Sequence, residues 1–156
     1  MEGDAARTNP RRAARVTLVV DASAALSWSI ADESDVEALE LLRRVRAEGA
    51  VVPALWLFEM ENGLRNALRR GRITEVEAQT IQAKLSRLPI RVADSSERIS
   101  FHGALALANR FDLSVYDAAY LDVALRYKGY LATRDRRLAE VAGRLGLARK
   151  PAKRRR

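Results

Sequence analysis

The sequence predicts an α/β protein built on a parallel sheet with helices on both of its faces. Three observations predict it. Short apolar runs alternate with longer stretches of helical periodicity. The first run, Val16-Thr17-Leu18-Val19-Val20, is rich in β-branched residues and unbroken, as a strand buried on both faces should be. And the chain between successive runs is long enough for a helical crossover, which parallel strands need and hairpins do not.

The elements follow in order. After the first strand comes a short helix over Ala22–Ile30. A second helix spans about Ser34–Glu48, with Val36, Leu39, Leu42 and Val45 on its apolar face, and Gly49 ends it. Ala50-Val51-Val52 is a short strand, and Pro53 suits the opening of the next helix, which runs to about Arg70 and stops at Gly71. Thr74-Glu75-Val76-Glu77 has the form of a capping box ahead of a fourth helix reaching about Leu88. Ile90-Arg91-Val92 is the third strand. Helices follow at about Glu97–Arg110 and Tyr116–Tyr127, then a strand at Tyr130–Thr133 and a last helix at Asp135–Leu145.

Composition narrows the function classes. At 156 residues and 48% hydrophobic, the chain is one domain's worth of ordered protein with a core that needs no covalent staples. The absence of cysteine excludes disulfides, thiolate zinc sites, iron–sulfur ligation and a cysteine nucleophile. A single histidine, His102, excludes any site needing two imidazoles and reads as an ordinary helix residue. No apolar run approaches the roughly 18 residues of a membrane span, and the N-terminus lacks the apolar stretch of a secretory signal, so the expectation is a cytoplasmic protein.

The net charge of +8 is localised. Residues 1–15 carry four arginines and two acids, and residues 149–156 carry six basic residues and no acid, so of the chain's 28 basic and 20 acidic residues the span 16–148 keeps 18 of each. The sequence therefore divides into a basic flexible extension (1–15), a neutral folded domain (16–148) and a basic tail (149–156). The tails are suited to salt-sensitive, non-specific nucleic-acid contact or to simple solvation.

In parallel α/β sheets, ligands bind outside the carboxyl ends of the strands. Four acids fall at that rim. Asp21 ends the first strand, Glu59 lies early in the helix leaving the second, Asp117 begins the helix after Leu113-Ser114-Val115-Tyr116, and Asp135 follows the fourth strand. Each aspartate also stands where a helix cap is worth about 1 kcal/mol. Glu59 has no such explanation. Its helical neighbours Asn62, Gly63 and Asn66 are uncharged, whereas Glu61 has Arg65 one turn on and reads as part of an exposed ion-pair ladder. Asp122 with Arg126 reads as a surface pair in the same way, and Trp28 and Trp56 as core or dimer-face residues. Carboxylates gathered without His or Cys repel one another, and a hard divalent metal, magnesium above all, relieves them.

At these residues the sequence resembles the PIN-domain ribonucleases of the bacterial VapC toxin type, over about residues 17–148. Val19-Val20-Asp21-Ala22-Ser23 is similar to the family's opening strand and first aspartate. Pro53-Ala54-Leu55-Trp56-Leu57-Phe58-Glu59-Met60-Glu61-Asn62 is similar to its second motif and assigns Glu59, not Glu61, as the ligand. Leu113-Ser114-Val115-Tyr116-Asp117-Ala118-Ala119-Tyr120-Leu121 is the most specific segment, and Leu131-Ala132-Thr133-Arg134-Asp135-Arg136-Arg137-Leu138 resembles the last motif. The resemblance implies a three-layer αβα sandwich with a mostly parallel sheet of four to five strands and a homodimer. It further implies hydrolysis of RNA with Mg2+ (or Mn2+) held by Asp21, Glu59, Asp117 and Asp135, and inhibition by a cognate antitoxin. Ser23, Asn62 and Thr133 are candidates to orient those ligands, against a simpler reading as local backbone hydrogen-bonders. The antitoxin would lay a basic segment over the acidic site, on an apolar strip formed by Leu26, Trp28 and Ile30 and by Leu55, Trp56 and Phe58.

Three other classes fit less well. A haloacid-dehalogenase-like phosphatase needs a second acid two residues after the first, where this chain has Ser23. A receiver domain needs an acidic pair beside Asp21 and a phosphoacceptor ending the third strand. A PIN-like RNA- or antitoxin-binding module that has lost its metal is the non-enzyme alternative, and the intact set of four acids argues against it.

Overall fold

The computed structural model describes residues 17–93 and 101–148. Four short parallel strands, β1 (Leu18–Val20), β2 (Ala50–Val52), β3 (Ile90–Val92) and β4 (Tyr130–Ala132), form one sheet in the order β3-β2-β1-β4. Val19 pairs with Val51 on one side and Leu131 on the other, and Val51 pairs with Arg91. β1 and β2 are interior and buried throughout, which is why they are continuous Leu, Val and Ala; the edge strand β3 alternates half-buried Ile90 and Val92 with exposed Arg91. Helices α1 (Ala22–Ser29), α2 (Val36–Glu48), α3 (Leu55–Arg69), α4 (Glu75–Leu85), α5 (Ala104–Phe111), α6 (Val115–Arg126) and α7 (Arg136–Arg144) complete the three-layer αβα sandwich.

The strand order sets the position of any site. The chain steps from β1 outward to β2 and β3, then returns to place β4 on the opposite side of β1. That reversal lies between β1 and β4, and a crevice opens at such a switch point beyond the carboxyl ends of the strands. Asp21 follows β1 directly and Thr133-Arg134-Asp135 follow β4, so the two segments are neighbours there, and the Asp21 N–H donates to the Ala132 carbonyl at 2.9 Å.

Local chemistry explains most element boundaries. Asp21, Asp35, Thr74, Ser114 and Asp135 each accept a hydrogen bond from a first-turn backbone N–H, and Thr74 and Glu77 close the expected capping box. Gly49 and Gly71 leave their helices with φ of 78° and 64°, the left-handed region that favours glycine. Gly129 is fixed by crowding: a Cβ there would lie 2.4 Å from the Thr17 carbonyl oxygen, where the lead-in to β4 crosses the start of β1.

The structure corrects several sequence expectations. In α2, Val36 and Leu39 are 83% and 50% exposed, and the buried side is Ala38 and Val45 with Leu41 and Leu42 half-buried. A 3-10 turn at Ala31–Glu33 precedes the helix, which starts at Val36. Residues 101–103 are not helical, so α5 starts at Ala104; the expected start at Glu97 lies outside the described residues, as do Val16, the extension 1–15 and the tail 149–156. Asp122 is not a surface acid. It pairs with Arg126 at 2.8 Å but is buried, and it also accepts the Gly103 N–H at 2.9 Å, so it ties α5 to α6. Glu61 accepts from Gln82 of α4 at 2.8 Å in place of a ladder with Arg65.

Candidate active site

Each acid at the rim is held by a different element. Asp21 caps α1 and is buried. Its carboxylate accepts the Ser23 N–H at 3.3 Å, the Ser23 hydroxyl at 2.6 Å and the Thr133 hydroxyl. Ser23 and Thr133 in turn receive the backbone N–H groups of Arg134 and Asp135, both at 3.0 Å. The β1–α1 and β4–α7 junctions are therefore laced together around one carboxylate. Ser23 and Thr133 thus touch Asp21, and both also bond to backbone.

Glu59 sits in the first half of α3, half-buried, and its carboxylate accepts the phenolic hydrogen of Tyr120 on α6. Burial pushes the Glu59 carboxyl up from its ordinary value, the Tyr120 hydrogen bond opposes this, and the negative charges of Asp21 and Asp117 push it further up. Asp117 stands in the first turn of α6, where Ser114 caps the helix: the Asp117 N–H donates to the Ser114 Oγ at 3.0 Å and the Ser114 hydroxyl donates to the Asp117 carboxylate at 2.6 Å. Asp21 at the β1–α1 junction, and Asp117 on α6, are thus near enough to Glu59 on α3 for their charges to act on it.

Two expected participants stand apart in this structure. The Asp135 carboxylate is exposed and accepts the Leu138 N–H at 2.7 Å as the cap of α7. Asn62 is exposed on α3, and no hydrogen bond among the described residues joins it to the four acids. Among the described residues, no three His, Cys, Asp or Glu side chains are gathered tightly enough to hold a metal ion between them. The donor chemistry nevertheless fits a hard cation: the acids offer only oxygen, and Glu59 already bears the repulsion of two neighbouring carboxylates that such a cation would relieve. Asp21, Glu59 and Asp117 fit best, with Asp135 one short loop away.

Sequence reasoning overlooked Tyr120 as part of the site. Its ring is completely buried, and burial together with Glu59 keeps its hydroxyl protonated far above the ordinary tyrosine range. The signal was spacing, because Tyr120 is three residues after Asp117 and so one turn along the same helix. Arg134, in the last motif, also acts across the rim. Its guanidinium reaches across the rim to Asp35, the cap of α2, and holds that carboxyl below its ordinary range. The apolar strip expected beside the site is mostly core. Ile30 and Trp56 are 2% and 4% exposed, and Leu26 packs against Gly63 where α1 meets α3, leaving Leu57 and Phe58 as the exposed apolar residues next to Glu59.

Comparison with known proteins agrees with this architecture. The PIN domain family profile matches residues 18–144. A relative named Ribonuclease VapC3, from Pyrobaculum aerophilum, is 35% identical over 130 residues, spanning 79% of this chain and 92% of the relative. The crystal structure of PAE2754 from Pyrobaculum aerophilum superposes with a TM-score of 0.59 at 24% identity, covering 84% of this chain and 97% of that one, and so shares the fold. With the profile spanning the sheet and every acid of the rim, this chain belongs to the PIN-domain family and is of the VapC type.

Proposed function

We propose that this chain is a divalent-metal-dependent endoribonuclease and the toxin of a toxin–antitoxin pair. The observation that carries the reading is the hydrogen bond from Tyr120 on α6 to Glu59 on α3, which joins Glu59 to the helix that bears Asp117, and the charges of Asp21 and Asp117 help to raise the Glu59 carboxyl. The 35% identity to a protein named as a VapC ribonuclease supports RNA as substrate and a cognate antitoxin as partner. A homodimer acting in the cytoplasm belongs to the same reading.

Asp21, Glu59, Asp117 and Asp135 would hold the Mg2+ or Mn2+ ion, with Ser23 and Thr133 fixing the orientation of Asp21. When bound, the ion supplies charge relief for a pentavalent phosphate and makes water a stronger nucleophile. The chain's own part is proton transfer and placement. A carboxylate of the cluster takes the proton of the attacking water, the water oxygen bonds to phosphorus, and the bond from phosphorus to the 3′ oxygen breaks as that oxygen takes a proton from solvent. The products are a 5′-phosphate and a 3′-hydroxyl. The RNA 2′-hydroxyl takes no part, so RNA is chosen by shape and strandedness.

The test is cleavage of total RNA by purified protein with Mg2+, with Mn2+ and with chelator, followed by sequencing of the 5′-phosphate ends. Cleavage that persists in chelator, or ends bearing 2′,3′-cyclic phosphate, would overturn the mechanism. Calorimetric titration separates it from a binding module without metal, which would give no Mg2+- or Mn2+-dependent heat.

A further inference from the structure

We propose that Tyr120 is the positioning residue for Glu59: its hydroxyl reaches from the core to fix a site carboxylate that no other hydrogen bond among the described residues orients. This inference rests on the metal-dependent reading above and deepens it. The other two coupled acids are held within their own junctions. Asp21 takes hydrogen bonds from Ser23 and Thr133, and Asp117 from Ser114. Glu59 has a longer side chain, with one more rotatable bond than aspartate, and is only half-buried, with the exposed Leu57 and Phe58 preceding it in the chain. The tie that the structure gives its carboxylate is Tyr120.

Tyr120 itself shows a division of labour. Its ring is 0% exposed and packs in the main core with Leu121, Val123 and the strand residues, a task that a phenylalanine ring would perform equally well. A buried tyrosine hydroxyl needs a partner, and this one finds it on another helix, 61 positions away in sequence. The same helix presents Asp117 one turn earlier. A single rigid element, α6, therefore supplies one acid of the site and the donor that sets a second acid, on α3. Rigid elements hold such geometry more tightly than loops do. Partners of this kind, lying behind the ligands of a metal, commonly change affinity by about 10–100-fold when removed.

The experiment compares wild type, Tyr120→Phe and Glu59→Gln by Mn2+ calorimetry, melting and steady-state RNA cleavage. Tyr120→Phe should weaken Mn2+ binding about 10-fold or more and lower kcat at fixed metal, with the KM for RNA unchanged. Combined with Glu59→Gln it should cost nothing further in Mn2+ affinity, because the hydroxyl acts only through Glu59. A folded Tyr120→Phe that binds Mn2+ as tightly as wild type overturns the inference and leaves the ribonuclease reading standing. Wild-type protein that gives no Mn2+ heat overturns both. Should Tyr120→Phe fail to fold, the wild type still decides. With ring-13C tyrosine, and with the other three tyrosines assigned by Tyr116→Phe, Tyr127→Phe and Tyr130→Phe, the remaining signal should move on Mg2+ titration. A signal that stays still while Mg2+ binds overturns the inference.

Discussion

At the scale of single residues, the site consists of carboxylates matched to hydroxyls. Asp21 has Ser23 and Thr133, Asp117 has Ser114, and Glu59 has Tyr120. Such pairs orient acids without neutralising them, so the cluster keeps its negative charge for a cation. Asp21→Asn, Glu59→Gln and Asp117→Asn should each lower the rate of RNA cleavage by about 10²–10⁴-fold, the range contributed by a positioned acid or base, while the fold survives. Glu61→Gln, two residues from Glu59 and tied to α4, should cut at the wild-type rate. Wild-type cleavage by folded Glu59→Gln would remove that residue from the mechanism. The same residue makes a prediction for stability. The Glu59 carboxyl is raised in the folded state above its ordinary value of 4.5, so the fold binds that proton more tightly than the unfolded chain does. Its contribution is then present below pH 4.5 and is lost as pH rises through the folded value. In metal-free protein, Glu59→Gln should therefore gain in Tm relative to wild type as pH is raised from 4 to 7, and a pH-independent difference would contradict the shift.

At the scale of elements, the short strands depend on close approach. Each of the four strands has only three residues, so the sheet is held as much by the helices across it as by its ladder. α6 is buried on most of its circumference, through Ala118, Tyr120, Leu121, Asp122, Val123 and Ala124, and it lies against β1, β2 and β4. At the start of β4, Gly129 lies against the Thr17 backbone too closely for any Cβ. Gly129→Ala should destabilise the protein by about 1–3 kcal/mol, the usual cost of overpacking, because a carbonyl oxygen cannot rotate away as a side-chain tip can. Gly143→Ala has open space around its added methyl and is the matched control in α7. Thermal melts of the two variants check the pair, and equal melting temperatures would show that the Thr17 contact relaxes freely.

At the scale of the whole molecule, the charge distribution separates binding from chemistry. The span 16–148 is neutral, and residues 149–156 alone carry +6 of the net +8. Deleting 149–156 should weaken RNA binding and flatten its logarithmic salt dependence, by as much as about 4 if all six charges engage a single strand at 0.7 each. The rate of single-turnover cleavage at saturating enzyme should stay as it was. Filter binding across a salt series and a single-turnover assay measure the two effects separately, and a lost chemical step would place the tail in the site.

The sequence by itself determined the elements and their order. Three-residue and five-residue apolar runs, the Thr74–Glu77 capping box and the glycines at 49 and 71 act through neighbours in the chain, so they are legible without a fold. It also gave reason to expect Asp21, Glu59, Asp117 and Asp135 at the carboxyl rim, because parallel strands separated by helices all end on one side. Only the tertiary structure decided which strands adjoin. The switch between β1 and β4 joins Asp21 to Thr133 across more than a hundred residues, and α6 delivers Tyr120 to Glu59. Those contacts depend on how helices pack over the sheet, which periodicity does not encode. For the same reason Val36 and Leu39 read as a buried face and are exposed, while Asp122 read as a surface acid and is buried. A helix pattern shows which residues share a face, and only the packing of its neighbours decides which face meets the core.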